Sequence, residues 1–415
     1  MKFSKLLGSP ATGLHRWGSL GQLSLVSLIG LLVATLFSAC QLVTIDYVYL
    51  AGSSQTSANG QIQVFAVDSQ SGALRNAASP VSSEGTTPVA LVISSDEAHL
   101  YVANADNNTV VHFTIATDGK LTKKDSVTLA DSPVSLAVNA ANNYLYVVSG
   151  TTTATLTEFP LSSGAIGSAT AQESLVIPGF AGDDVVPTGV TVLPNNYAVF
   201  ATVYDKSAYN PGGTVTSSAH PGWVFSYGVG SGGALTPGLA NPYQAGVKPT
   251  GVAADPASHY IYVTDYASNH LIGYGITDNS NLNFLISGPY RTGAEPSAVT
   301  IDPRGKYIYV SNALDSTVSA YAIDLATGVP SAVVNVTGSQ TNSTDTQPVA
   351  IAVDPALGRY VYTANLLGNS ISGFRLNPNT GSLSTTQSTP YPSEAKPRAI
   401  AIIPHGNHSL QAIPQ

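Results

Sequence analysis

Short apolar runs alternate with turn-forming residues throughout the chain, and residues 296–323 show the pattern most completely. Three runs rich in Val, Ile, Tyr and Thr occupy residues 298–301, 307–311 and 317–323. Asp-Pro-Arg-Gly separates the first two runs, and Asn-Ala-Leu-Asp separates the second from the third. β-Branched and aromatic residues favour strands, and these turn sequences favour tight connections between antiparallel neighbours. The unit therefore predicts a three-stranded meander, which needs further copies of itself to bury its faces.

Two signatures of this unit recur seven times each. The first, a proline followed by a small apolar strand, occurs at Pro88, Pro133, Pro187, Pro249, Pro296, Pro348 and Pro397. The second, an aromatic or aliphatic run, occupies residues 47–50, 100–103, 145–148, 199–202, 261–264, 308–311 and 361–364. The step from the proline to the aromatic residue of the second run is 13 residues in five repeats and 14 in the repeat of Pro348. Repeats of roughly 45–60 residues are typical of four-stranded β-propeller blades.

The two ends of the repeat array are complementary. The first repeat starts at Tyr47 without a proline strand, whereas the last proline strand, residues 397–403, has no partner strands after it. An open array would leave two exposed edges, and a ring removes them. We therefore expect residues 399–403 to be the innermost strand of the blade whose outer strands come from residues 47–81. The predicted fold is an all-β, seven-bladed β-propeller of four-stranded antiparallel blades over residues 47–404, followed by a tail of residues 405–415.

The composition agrees with strands and turns and excludes several classes of protein. Charged residues make up 10% of the 415 residues, and there are 38 Gly, 26 Pro and 21 Tyr. Few charges and many tyrosines argue against both long surface helices and disorder. The formal net charge is −8 and the sequence has no basic stripe, so we expect no nucleic-acid partner. We expect a monomer.

The N-terminal segment has the pattern of an export signal. Its start is basic and contains no acidic residue, residues 20–39 are apolar, and small residues precede Cys40. Cys40 is the only cysteine, so it has no disulfide partner within the chain. The apolar run is long enough to span a bilayer, so an uncleaved membrane anchor is one interpretation of this segment. Plain secretion is another, and lipidation of Cys40 is the third.

Residues 36–40, Leu-Phe-Ser-Ala-Cys, resemble the lipobox of bacterial lipoproteins, which ends on the lipidated cysteine. The resemblance implies a signal peptide of residues 1–39, lipidation of Cys40 and a tether of residues 40–46. Each buried methylene of an attached acyl chain adds about 0.8 kcal/mol of membrane affinity. Gln41 in place of Asp implies an exported outer-membrane lipoprotein of the bacterial cell envelope, facing the periplasm or the surface.

Four repeats carry a similar tetrapeptide at the end of the second strand. It reads Tyr-Val-Ala-Asn at 101–104, Tyr-Val-Thr-Asp at 262–265, Tyr-Val-Ser-Asn at 309–312 and Tyr-Thr-Ala-Asn at 362–365. With the Pro-x-x-Ile-x-Val-Asp-Pro pattern before it and Gly-x-Leu after it, the chain resembles the lactonase-type seven-bladed β-propeller family, also known for its YVTN repeat. The resemblance covers about residues 47–404. That family includes phosphogluconolactonases and a muconate cycloisomerase branch, so the resemblance implies the ring fold and lactone hydrolysis as an activity.

The chain departs from the lactonase branch at the Gly-Pro-Arg-His run with which one inner strand of those proteins begins. The residues after the seven prolines are here Val89, Val134, Thr188, Thr250, Ser297, Val349 and Arg398. Only Lys396-Pro397-Arg398 is similar to the run, and Ala399 stands in the position of the histidine. The departure favours a binding or scaffold protein for a sugar, peptide or protein partner, with lactone hydrolysis as the alternative.

In a propeller, the loops that enter the inner strands and the loops that follow the second strands share one face, at the mouth of the central channel. The predicted ligand-binding residues on this face are Asp183, Asp184, Asp205, His220, Lys248, Asp265, Arg291, Glu295 and Arg398. The candidates for catalysis are His220, Asp205, Glu295 and Arg398, with an acid or His220 activating water and Arg398 or Lys248 holding an anionic substrate. His270, Asn312, Asn365 and Lys396 are expected on the same face.

The remaining signals are structural or negative. Asn104, Asp265, Asn312 and Asn365 recur at one repeat position, which indicates capping of tight turns before any binding role. No histidine pair has metal-ligand spacing, and no phosphate loop or nucleophile elbow is present, so neither a metal nor a cofactor is expected.

Blade four breaks the repeat pattern with a long connection over residues 204–222. Long loops in compact domains are usually functional or disordered. We expect a lid over the channel mouth, with Asp205 and His220 as its polar contacts; the alternative is a Ser/Gly-rich insertion without a ligand.

Overall fold

The computed structural model describes residues 43–54, 57–178, 184–206, 222–278 and 280–408. Seven antiparallel sheets form the blades, which confirms the predicted all-β propeller. From the innermost strand outward, blade one is Ala395–Pro404, Thr44–Ser54, Gln61–Asp68 and Leu74–Ser82, and blade two is Pro88–Ile93, His99–Asn104, Thr109–Ile115 and Leu121–Thr128. Blade three is Pro133–Val138, Tyr144–Ser149, Thr155–Ser162, Ala165–Ile166 and Ala171–Ser174.

The outermost strand of blades three to seven is split into two short segments that both pair with the third strand. Blade four is Val185–Val192, Ala198–Asp205, Gly222–Val229, Leu235–Pro237 and Tyr243–Gln244, and blade five is Pro249–Ala254, Tyr260–Asp265, His270–Thr277, Asn281–Phe284 and Tyr290–Arg291. Blade six is Pro296–Ile301, Tyr307–Asn312, Thr317–Ile323, Pro330–Ala332 and Thr341–Ser343, and blade seven is Pro348–Val353, Tyr360–Asn365, Ser370–Leu376, Leu383–Thr385 and Tyr391–Pro392. Short 3₁₀ helices cover Ser231–Gly233 and Gly406–His408. Among the described residues, none forms a helix long and apolar enough to span a bilayer.

The last strand of the chain closes the ring. Ala395–Pro404 pairs antiparallel with Thr44–Ser54, with Ala399 opposite Ala51 and Ile403 opposite Tyr47. Its neighbours around the channel are the inner strands of blades seven and two. The predicted closure of the N-terminal blade by a C-terminal inner strand is therefore confirmed.

Apolar side chains fill the interface between each pair of neighbouring blades. Ile400 and Ile402 pack against blade seven, whereas Ile403 packs with side chains of blade two. The alternation follows from the strand, because successive side chains point to opposite faces of a sheet. The closing strand thus contributes to two of the interfaces at once.

A tyrosine at one position of the second strand joins five of the blades to the next blade. Its hydroxyl donates a hydrogen bond of 2.6–2.9 Å to the carbonyl of a glycine in the turn before the outermost strand of the next blade. The pairs are Tyr49–Gly119, Tyr101–Gly164, Tyr262–Gly328, Tyr309–Gly381 and Tyr362–Gly72. These glycines have positive φ, which side chains disfavour. The last pair spans the closure, so the Tyr and Gly of the repeat are explained by contact between blades.

Candidate functional site at the channel mouth

Every inner strand contains a β-bulge immediately after its proline. In blade six, Pro296 is opposite Asn312 and Ala298 is opposite Ser311, which leaves Ser297 as the extra residue. The same shift of register occurs in all seven blades. Because a bulge redirects the extra side chain, seven such residues form a ring around the channel entrance.

Two hydroxyl residues of this ring connect neighbouring inner strands. Thr250 Oγ1 donates to the carbonyl of Pro296 at 2.7 Å, and Ser297 Oγ donates to the carbonyl of Pro348 at 2.7 Å. Arg398 is the charged member of the ring and its side chain is exposed. The ring therefore combines a structural role in blades five and six with one cation in blade one.

Asp265 orders the loop that enters the inner strand of blade five. The residue is buried, and its carboxylate accepts hydrogen bonds of 2.9 Å from the backbone N–H groups of Val247 and Lys248. Asn312 and Asn365, at the same repeat position, are also buried and donate to nearby serine hydroxyls. These contacts agree with the structural interpretation of the recurring Asn and Asp residues.

Four side chains from blades four, five and six come together beside this loop, and we call them the mouth cluster: Tyr204, Lys248, Tyr266 and Glu295. Lys248 Nζ lies 4.5 Å from the centroid of the Tyr266 ring and 5.4 Å from that of Tyr204. The Tyr266 hydroxyl donates a 2.6 Å hydrogen bond to Glu295 Oε2. The cluster thus holds a cation between two aromatic faces with a carboxylate beside it.

The charge of Lys248 is kept in a half-buried position. Burial lowers the pKa of its ammonium group, and the negative charge of Glu295 opposes that shift. A partly desolvated ammonium interacts more strongly with an anionic ligand than one in bulk water does. The two predicted residues Lys248 and Glu295 are therefore brought together.

The backbone of Glu295 is fixed in a conformation that few residues adopt. Its φ is 55°, in the left-handed region, and Gln347 has a φ of 58° at the same position before Pro348. Asn269 Oδ1 accepts a 2.8 Å hydrogen bond from the Glu295 N–H, and the Glu295 carbonyl accepts one of 2.8 Å from Ala313. These bonds stabilise the strained backbone that presents the carboxylate.

A pocket of about 340 Å³ continues the mouth cluster toward blade two. Its lining comes from the starts of three inner strands and from the loops after the second strands: Val89, Ala105, Ser132, Pro133, Val134, Gly150, Thr151, Val186, Tyr204 and Lys206. Tyr204 belongs to both groups, so the pocket and the mouth cluster form one surface. Most of the lining is apolar, with Lys206 as its charged residue.

The other predicted site residues lie in different places. Asp184 is exposed, and its carbonyl accepts a 2.8 Å hydrogen bond from the Lys206 N–H. Asp205 is buried at the end of the second strand of blade four. Arg291 lies on the outermost strand of blade five, opposite His270 of the third strand. It is therefore at the outer edge of the blade and not on the inner strand.

Several predictions concern other parts of the chain. His270 and Asp265 line a separate pocket of about 380 Å³, together with Phe284, Leu285 and Pro289. Asp183, His220, Cys40 and most of the predicted lid of residues 204–222 lie outside the described residues.

The sequence interpretation missed the two tyrosines of the mouth cluster. Tyr266 directly follows the repeated tetrapeptide, where the other repeats have Ala105, Ala313 and Leu366. An aromatic residue that breaks the repeat at a loop on the channel face was therefore a visible signal. The resulting arrangement of ammonium, phenol and carboxylate can bind a polar anionic or polyhydroxy molecule and can accept a proton from water.

The family model described as Lactonase, 7-bladed beta-propeller matches residues 48–179 and 116–412. Among solved structures, the chain is similar to a candidate 6-phosphogluconolactonase from Bacteroides fragilis, with 16% identity, a TM-score of 0.69 and coverage of 86% of this chain and 98% of that chain. It is also similar to the periplasmic gluconolactonase of Pseudomonas aeruginosa, with 18% identity, a TM-score of 0.68 and coverage of 86% and 99%. No curated protein matches the chain significantly. The structural likeness supports the fold, and the family match establishes that the chain belongs to the lactonase seven-bladed β-propeller family.

Proposed function

We propose that the protein hydrolyses a small, sugar-type lactone at the channel mouth. The observation that carries the proposal is that Tyr266 contacts both a cation and a carboxylate: Lys248 Nζ lies 4.5 Å from the centroid of its ring, and its hydroxyl donates a 2.6 Å hydrogen bond to Glu295. A lactone needs a base to activate water and a positive group near the carbonyl oxygen, and the mouth cluster contains both. Relatives in shape named as gluconolactonases support the same class of substrate.

In the proposed reaction, the Glu295 carboxylate takes a proton from water while the water oxygen attacks the lactone carbonyl carbon. The oxygen of the tetrahedral intermediate then carries negative charge, which the Lys248 ammonium stabilises. The ring C–O bond breaks, and the departing alkoxide takes the proton from Glu295. The product is an open-chain hydroxy acid, and Arg398 provides a cation for its carboxylate or for a phosphate on the substrate.

The test is turnover by the purified protein of a panel of sugar δ-lactones with and without a phosphate group. Lys248→Met is expected to lower kcat/KM by about 10²-fold or more, because it removes the cation that faces the developing charge. Lys120→Met is the matched control, since Lys120 is exposed and pairs with Asp118 in a turn on the opposite face. Equal loss in both variants, or no turnover of any lactone, would reject hydrolysis at this site.

Binding without turnover is the second candidate. The apolar lining of the 340 Å³ pocket favours it, because Val89, Val134 and Val186 offer contact surface and no reactive group. In that case a sugar or lactone, or a side chain of a peptide or protein partner, occupies the mouth and is released unchanged. Calorimetric binding that Lys248→Met weakens, without any product, would favour this candidate.

We also propose that the protein is exported and attached to the outer membrane of a bacterial cell envelope through a lipid on Cys40. The basic, apolar and small-residue regions before Cys40 support the proposal, as does its being the only cysteine. A related structure named as periplasmic agrees with an extracytoplasmic location.

A further inference from the structure

Three ionisable side chains meet on the opposite side of the ring, at the seam where the chain ends join. Asp46 lies on the first strand, Asp354 follows the inner strand of blade seven, and His408 ends the C-terminal 3₁₀ helix. All three are buried, with exposed fractions of 0%, 0% and 4%. Buried charges without compensation are costly, so such a group needs an explanation.

The spacing of the three side chains suits a small divalent metal ion. His408 Nε2 lies 3.2 Å from both Asp354 oxygens and 3.4 Å from Asp46 Oδ1, and one ligand atom from each residue fits within 4.8 Å of the other two. Bonds of 2.0–2.2 Å to a tetrahedral zinc ion place neighbouring ligand atoms about 3.3–3.6 Å apart. The distances from His408 Nε2 to the two carboxylates therefore match the separation of neighbouring ligand atoms around a zinc ion.

Asp46 supplies an independent observation. Its carboxylate is fully buried, and in the described part of the chain neither of its oxygens accepts a hydrogen bond. By contrast, Asp302 and Asp255, which follow other inner strands, accept backbone hydrogen bonds in their turns. Asp46 thus faces the cluster, with Oδ1 3.4 Å from His408 Nε2 and with no hydrogen bond from the described residues to either oxygen.

Asp354 is oriented as a metal ligand would be. Its Oδ1 accepts hydrogen bonds from the N–H groups of Ala356 and Leu357, and its Oδ2 accepts one from Arg359, which leaves Oδ2 a lone pair. Outer hydrogen bonds of this kind fix the direction of a coordinating carboxylate.

We infer that Asp46, Asp354 and His408 bind one divalent transition-metal ion of the zinc class, which joins the first strand, blade seven and the C-terminal segment. One imidazole and two carboxylates suit zinc, whereas calcium prefers six to eight oxygen ligands at longer distances. No ligand motif was visible in the sequence, because the three residues come from opposite ends of the chain and meet only when the ring closes.

The test uses the purified full-length protein with zinc alone as the probe. After equilibration and removal of free metal, mass spectrometry of the metal content is expected to give one zinc per chain. Asp46→Asn and His408→Ala should each weaken zinc binding at least tenfold, and zinc should raise the thermal midpoint of the wild type but not of the variants.

Two controls separate the site from its surroundings. His405→Ala removes a histidine of the same segment that packs on the Tyr47 ring, and Asp255→Asn removes an acid at the equivalent turn of blade five. Both should keep the zinc. If Asp46→Asn fails to fold, His408→Ala decides, because its residue lies outside the strands. Absence of bound zinc, or zinc that persists in His408→Ala, would overturn the metal site. The three residues would then form an ion pair only, with a protonated His408 between the two carboxylates.

Discussion

Removal of the closing strand tests the ring most severely. A chain that ends after Glu394 lacks Ala395–Pro404 and leaves the edge of Thr44–Ser54 unpaired. It also removes Ile400 and Ile402 from the interface with blade seven, and Ile403 from the interface with blade two. One deletion therefore opens the propeller on both sides of blade one.

The magnitude follows from the buried side chains. Ile400, Ile402 and Ile403 are 6–8% exposed, and burial of each contributes about 1.5–3 kcal/mol, or roughly 5–9 kcal/mol together. A folded domain is stable by about 5–15 kcal/mol in total. The unfolding entropy is about 2.1 cal/mol/K per residue, summed over the propeller of residues 47–404. Dividing the lost free energy by this entropy gives a thermal midpoint lowered by roughly 7–12 °C, unless cooperative folding is abolished altogether.

The assay is thermal unfolding followed by circular dichroism, with a chain ending after His408 as the reference, because that chain keeps the whole closing strand. Exposure of the edge should also promote association, which light scattering detects. A truncated protein with the midpoint of the reference would refute closure by this strand.

Three further predictions concern single positions. Tyr309→Phe should lower the free energy of unfolding by about 1–3 kcal/mol in denaturant titrations, because it leaves the buried Gly381 carbonyl without its donor; an unchanged midpoint would contradict this. The Ser370 hydroxyl donates a hydrogen bond to Asp345 and holds the pKa of that carboxyl below its ordinary value, so the contact stabilises the fold above about pH 4 and is lost as the pH falls further. Ser370→Ala should therefore reduce the fall of the melting temperature between about pH 4 and lower pH, and an unchanged fall would refute the contact. Cys40→Ser should abolish incorporation of a fatty-acid analogue and release the protein from the membrane fraction, whereas a wild type without label would exclude lipidation.

The ring could be predicted because each signal is local and repeated. The fixed step of 13 residues from proline to tyrosine spans one inner strand, its turn and the start of the next strand. The one longer step arises in blade seven, where Asp354 N–H bonds to the carbonyl of Tyr360, while in blade six Asp302 N–H bonds to that of Tyr307. One additional turn residue accounts for the difference.

The site was less accessible, because its chemistry depends on contacts between blades. Lys248 and Glu295 were identified as unusual charges, but their common neighbour Tyr266 becomes evident only when blades five and six are adjacent. Arg291 was expected at the channel mouth because it precedes an inner strand in the sequence. In the structure it belongs to the outermost strand of blade five and lies at the outer edge of that blade. Asp46 belongs to a strand whose partner is at the other end of the sequence, so no spacing could reveal its neighbours.

The central claim, that the mouth cluster hydrolyses a lactone, is tested most directly by the turnover number of Glu295→Gln. Glutamine should be accommodated without strain, since Gln347 occupies the same position of blade seven with nearly the same φ. Loss of the base should lower kcat by about 10²-fold or more while the fold and the thermal midpoint are retained. Turnover equal to that of the wild type on the best lactone of the panel would show that Glu295 is not the base and would contradict the mechanism.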